Sequence, residues 1–301
     1  MEDLLRPQQD HEHPLYARLR DRTDPHSVER REFFAALWRK YEPFAPRKFP
    51  EKLQKDFHQR WWEMYLVVRL LHLEIIPRQS NVDKGPDVTL DVGGRAIFVE
   101  ATAPRIGTKS DRVPEPVHNG VADFPERECL LRFTQALRDK SVKLHEYVNK
   151  KVIPREACAL IALSASDLNQ FGGLLDSGCP APLKVLAAAG PMVLRPSGAG
   201  TPYLSRRSIL PRDSGSEVDA ALFENPDFSI VAGVLYSRVD LWNATLRPED
   251  SLSLFVNPSA EHPIPEAFRK RFKCWVQEKS SGTTTVWSSS PPIGPPYPEF
   301  T

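Results

Sequence analysis

The feature that most restricts the fold of this chain is VTLDV (88–92), followed by Gly93-Gly94 and then RAIFVEATA (95–103). Two strand-like runs joined by a two-glycine turn predict a β-hairpin, because the favoured two-residue turns need positive φ, which glycine adopts without strain. So short a loop also sets the register. Val92 pairs with Arg95, Leu90 with Ile97 and Val88 with Val99, and Asp87 then comes opposite Glu100. Alternation sorts Val88, Leu90, Val92, Ile97, Val99 and Ala101 onto a core face. Asp87, Thr89, Asp91, Ala96, Phe98, Glu100 and Thr102 share the other face.

Carboxylates directly opposed on paired strands have Cβ atoms about 4.5–5.5 Å apart and repel unless something positive lies between them. A divalent cation that favours hard oxygen ligands, Mg2+ or Mn2+, meets that requirement. Such an ion can also activate water and stabilise a leaving oxygen in phosphodiester cleavage. The plain alternative is a hairpin with a solvated polar face.

Helical spacing of Phe57, Trp61, Met64, Tyr65, Val68 and Leu71, with Trp62, Leu66 and Leu70 on a second side, predicts a largely buried helix from Asp56 to about Leu73. A short strand near Glu74–Gln79 follows. After the hairpin come an aperiodic stretch to about residue 125, a helix from Glu126 to about Lys150 and a strand from Cys158 to Ala165. This order predicts an α/β fold with a mixed sheet flanked by helices. Upstream, a helix near Ser27–Tyr41 belongs to an N-terminal helical cap (1–50). The core spans 51–168, and a C-terminal extension (169–289) completes or flanks the sheet, with strands at 229–236 and 251–256 and a helix at 265–272. Residues 170–215 read as loop, and the Pro-rich tail (290–301) as extended polyproline.

The residues Gly85-Pro86-Asp87, then Phe98-Val99-Glu100-Ala101-Thr102, after a helix bearing Glu63, resemble the signature of the PD-(D/E)XK, or restriction-endonuclease-like, nuclease superfamily. The resemblance covers roughly residues 56–165. It implies a restriction-endonuclease-like core, a metal-dependent nuclease acting on DNA, and a metal shell of Asp87 and Glu100 completed by Glu63. The strand position usually held by the catalytic lysine is Thr102 here.

Phe133, Leu137, Lys140, Leu144 and Val148 follow one another at steps of four and three, so Lys140 stands in an apolar seam. Superfamily members can supply the lysine from this following helix, and Lys140 resembles such a migrated catalytic lysine. The bland reading is a lysine that buries its methylenes and keeps its ammonium in water. Lys84 is a reserve candidate, and Arg132 and Tyr147 are weaker phosphate contacts.

Other features narrow the functional classes. Forty basic against thirty-nine acidic residues give a formal charge of +1, so any nucleic-acid binding must come from a local patch. Cys129, Cys158, Cys179 and Cys274 are too scattered for a zinc site or disulfide framework, and a reducing cytoplasm is expected. The N-terminal run lacks an apolar signal core, and no apolar stretch is long enough to span a bilayer. The histidines, His58 among them, show no metal-ligand spacing, and Ser164 and Ser166 lack a nucleophile elbow, so none is assigned a role. Two further classes stay open: a catalytically silent nuclease-like module that binds nucleic acid or protein, and an interaction protein whose tail docks to a partner.

Overall fold

The computed structural model describes residues 4–5, 12–78, 85–108, 111–116, 123–168, 174–193, 203–244, 252–278 and 286–290. Lys84 and the Pro-rich run from 291 onward lie outside the described residues. The hairpin forms as β1 (Val88–Val92) and β2 (Arg95–Thr102), with Val88 opposite Val99, Leu90 opposite Ile97 and Val92 opposite Arg95. Gly93 (φ 61°) and Gly94 (φ 77°) both occupy the left-handed region, as the two-residue turn demands. The strand expected at Glu74–Gln79 reduces to one bridge between Pro77 and Leu90, supported by the Arg78 N–H donating to Thr89 O at 2.7 Å. Pro77 has no N–H to donate, so its neighbour Arg78 makes the hydrogen bond to β1.

The fold is α/β. Seven strands form a mixed sheet in the order β1, β2, β3 (Cys158–Ser164), β8 (Val231–Ser237), β9 (Ser253–Val256), β10 (Lys273–Glu278) and β11 (Val286–Ser290). The β2–β3, β3–β8 and β9–β10 pairs are parallel; the rest are antiparallel. The C-terminal extension therefore completes the sheet.

Helices cover both faces. On one face lie α1 (Pro14–Asp21), α2 (Pro25–Tyr41), α3 (Phe49–Lys55) and α4 (Phe57–His72), whose Tyr16, Phe34, Phe49, Trp61, Trp62 and Tyr65 share a core with Val88, Leu90, Ile97, Val99 and Ala101. Burying each such side chain contributes about 1.5–3 kcal/mol. The N-terminal cap is thus continuous with the core beneath it. Trp62 threads into the sheet, its Nε1–H donating to Ala162 O at 2.9 Å. On the other face α5 (Glu126–Asn149) packs Phe133, Leu137 and Leu144 with Ala159, Ile161 and Leu163 of β3.

Three further expectations need correction. Residues 181–186 form a helix, α6 (Ala181–Leu186), and short pairs β4 (Ala189–Val193) with β5 (Tyr203–Arg206) and β6 (Ile209–Pro211) with β7 (Glu217–Asp219) follow. This stretch read as loop because elements of three to six residues carry too few repeats to show a period. The expected helix at 265–272 shrinks to α7 (Glu266–Arg269). Strands β10 and β11 were not expected; among the described residues β11 pairs only with β10, at the far edge of the sheet.

The turn offers a test of the register. A Cβ at Gly94 would meet nothing within 4 Å, so the only obstacle to a side chain there is its positive φ. Gly94→Val should lower stability by about 1–2 kcal/mol in urea denaturation. A neutral effect would show that the turn does not hold this geometry.

Candidate active site

Glu100 lies near the C-terminal end of β2 on the face turned toward α5, and its side chain is 0% exposed. Asp87 lies one residue before β1, and its Oδ2 accepts the Ala101 N–H at 2.8 Å. The hairpin register thus delivers both acids to one place, with Asp87 anchored to the backbone of the neighbouring strand.

The positive group between them is Lys140. Its Nζ is 2.6 Å from Glu100 Oε2 and 3.5 Å from Asp87 Oδ2. The apolar neighbours Phe133, Leu137 and Leu144 press that stripe of α5 against the sheet, so the ammonium faces the carboxylates and does not escape to solvent. Lys143, one turn on, reaches the same Oε2 at 2.8 Å and stays 39% exposed. Its Nζ also lies 5.4 Å from the centre of the Tyr147 ring. The Tyr147 hydroxyl donates to Gly85 O at 2.7 Å and so ties α5 to the Gly85-Pro86-Asp87 approach. Sequence reasoning missed Lys143. Its signal was the 140, 143, 147 spacing, which puts all three side chains on one helix face.

Glu63 reaches the cluster electrostatically and not by contact. Its Oε1 accepts from Gln59 Nε2 at 2.9 Å and its Oε2 is paired with Arg60. Gln59 also donates to Ala101 O (3.1 Å) and accepts from Ala103 N–H (2.9 Å), locking α4 onto the end of β2. Arg132 is turned away from the acids: it donates to Asp111 O at 2.8 Å, and its guanidinium packs against Gly107.

Burial and the charge of Asp87 push Glu63 up to about 7, against the opposing pull of Arg60 and Gln59. Burial and Asp87 likewise raise Glu100, while Lys140 and Lys143 act against them. Burial works against the charge on Lys143, but Glu100 outweighs it and the lysine titrates above its ordinary value. The Tyr147 phenol is raised by burial and then by Glu100.

Among the described residues no group of three or more His, Cys, Asp or Glu side chains is arranged to hold a metal ion. The Asp87 and Glu100 oxygens are hard donors, and Glu100 Oε1 is buried without a hydrogen-bond partner, a state that normally calls for an ion or water. Magnesium commonly binds through one or two carboxylates and keeps several waters, so the pair fits such an ion without a third acid. The four cysteines are free and buried, and among the described residues no helix is long and apolar enough to cross a membrane.

Comparison of the chain with protein-family models, curated proteins and solved structures finds no match.

The raised Glu63 makes stability depend on pH. Between about 4.5, the ordinary glutamate value, and about 7, the folded chain holds a proton that the unfolded chain releases. Stability therefore falls as pH rises through that window. Glu63→Gln removes the titration and should flatten the profile by on the order of 3 kcal/mol, measured by urea unfolding at a series of pH values. A slope identical to that of the unaltered protein would show that Glu63 is not perturbed.

Proposed function

We propose that this chain is a metal-dependent phosphodiester hydrolase acting on DNA, built on a restriction-endonuclease-like core. The observation that carries the reading is the meeting of Asp87, Glu100 and Lys140 at the end of β2, with the lysine supplied by α5 in place of Thr102. The resemblance calls for a helix bearing Glu63, then a strand, a strand begun by Asp87 and a strand carrying Glu100; α4, β1 and β2 follow in that order, with the strand before β1 reduced to the bridge at Pro77, and α5 and β3 come next.

In this reading Asp87 and Glu100 hold Mg2+ or Mn2+, which when bound supplies electrostatic stabilisation to the phosphate oxygens. Glu63 joins the shell only by giving up Gln59 and Arg60. Lys140 donates to the scissile phosphate and orients the attacking water. Lys143, half exposed at the rim, meets the neighbouring backbone phosphate. Tyr147 acts through Gly85, holding Asp87 in register.

A silent nuclease-like module is the second reading. It is favoured by the pairing of Glu100 with two lysines and of Glu63 with Arg60, which neutralises the acids without a metal.

Incubation with supercoiled plasmid and Mg2+ or Mn2+ separates the two. Chelator-sensitive cleavage is expected, and Glu100→Gln or Lys140→Met should each lower the rate by about 100-fold or more. Lys140→Met keeps the apolar bulk of the stem, so its melting temperature should change little by comparison. DNA binding without cleavage at any metal concentration would sink the hydrolase reading in favour of the silent module.

A further inference from the structure

Beyond the carboxylate–lysine cluster, a cleft of about 450 Å3 opens at the C-terminal ends of the parallel strands β2 and β3. Its walls come from the start of α1 (His13), the start of α4 (Asp56, His58), the segment after β2 (Arg105 to Thr108), Arg112 and the turn after β3 (Asp167). Open α/β sheets bind ligands in the crevice outside the carboxyl ends of their strands, and the volume falls among those of small-molecule sites.

The floor is rigid. The His58 ring is held on both sides, Nδ1 lying 3.3 Å from Ser166 Oγ and Nε2 lying 3.2 Å from Asp167 Oδ1. Asp167 Oδ2 accepts the Ile106 N–H at 3.1 Å, so both oxygens of this acid are occupied. Ser166 is buried and does not line the cleft; its hydroxyl orients the imidazole and is not presented as a nucleophile. His13 Nδ1 accepts the Leu15 N–H at 3.2 Å, which leaves the proton of the neutral ring on Nε2 as a donor.

The rim carries two exposed guanidinium groups, each shared with an acid. Arg105 pairs with Asp56 at 2.5 Å and Arg112 with Glu115 at 2.6 Å, with the arginine side chains 61% and 46% exposed. Solvated pairs of this kind hold their partners weakly, so either guanidinium can turn to an anion that accepts two hydrogen bonds at once. Between them Gly107 (φ 83°) lies on the Arg132 guanidinium, where an added Cβ would come 2.4 Å from Cζ. The absent side chain lets a third cation pack beneath the loop.

We propose that this cleft binds the phosphate of a nucleotide unit, with Arg105 and Arg112 as its bidentate donors. Asp56, released from Arg105, accepts from sugar or base donors. As a subsite for a DNA strand the cleft rests on the hydrolase reading; as a nucleotide-phosphate site it stands on its own residues.

Calorimetric titration without divalent ions, comparing thymidine 5′-monophosphate with thymidine, tests the proposal. The protein should prefer the monophosphate by about tenfold or more. The double variant Arg105→Gln/Arg112→Gln, altered only at exposed side chains, should lose that preference while keeping its melting temperature. Arg105→Lys/Arg112→Lys should keep part of it, because lysine retains the charge without the fork. Lys140→Met should retain it in full. No preference in the unaltered protein would overturn the proposal. A preference that survives the arginine changes and disappears in Lys140→Met would also overturn it, assigning the phosphate to the carboxylate–lysine cluster and leaving the hydrolase reading intact. Conversely, a preference abolished by the arginine changes, in a protein that cleaves no DNA, would support the cleft and count against the hydrolase.

Discussion

The ion pairing of a fully buried carboxylate, Glu100, with Lys140 and Lys143 is the constraint on which the other contacts at this end of the sheet depend. A carboxylate withdrawn from water must either take up a proton or be paired, and here two lysines share the pairing, so one can be lost with the other still in place. That demand sets the azimuth of α5: its apolar stripe has to lie on β3 while two lysines reach β2. Once the helix is so placed, Tyr147 falls within reach of Gly85 and fixes the approach to Asp87. One charge thereby ties together α5, β2 and the segment leading into β1.

The acids and bases at this site form one interacting set. Asp87 raises both Glu63 and Glu100, and Lys140 opposes it at each. A carboxyl poised near neutrality, as Glu63 is, responds to small changes in its surroundings. Any cation arriving at Asp87 and Glu100 would relieve the repulsion that holds Glu63 high and would compete with Lys140 for Glu100.

Helix α4 joins this site to the cleft beside it. Gln59 grips the backbone on both sides of Thr102, and the adjacent His58 is clamped by Ser166 and Asp167 beyond the end of β3. Consecutive residues of one helix thus brace the ends of two parallel strands. The loop that leaves β2 carries Arg105 into the cleft within a few residues of Glu100. Both sites are built where strands β2 and β3 end, since loops and helix starts converge there on a rigid sheet.

The hairpin and its register were legible in the sequence because they follow from local rules, a two-glycine turn and a period of two. Helices α4 and α5 were legible from their apolar period, and Lys140 from its interruption of that period. Lys143 was not, because it lies off the apolar seam and its role depends on where the seam docks. The capture of Glu63 by Gln59 and Arg60 follows helical spacing, yet nothing local says that a glutamate will prefer its own helix to a neighbouring strand. The His58, Ser166 and Asp167 contact joins residues more than one hundred positions apart, and among the described residues β11 enters the sheet only by pairing with β10. Elements whose stability comes from neighbours a few residues away are readable along the chain. Which charges meet, and which cleft they line, was decided only by tertiary packing, because burial and electrostatic pairing depend on distances through space that no spacing along the chain encodes.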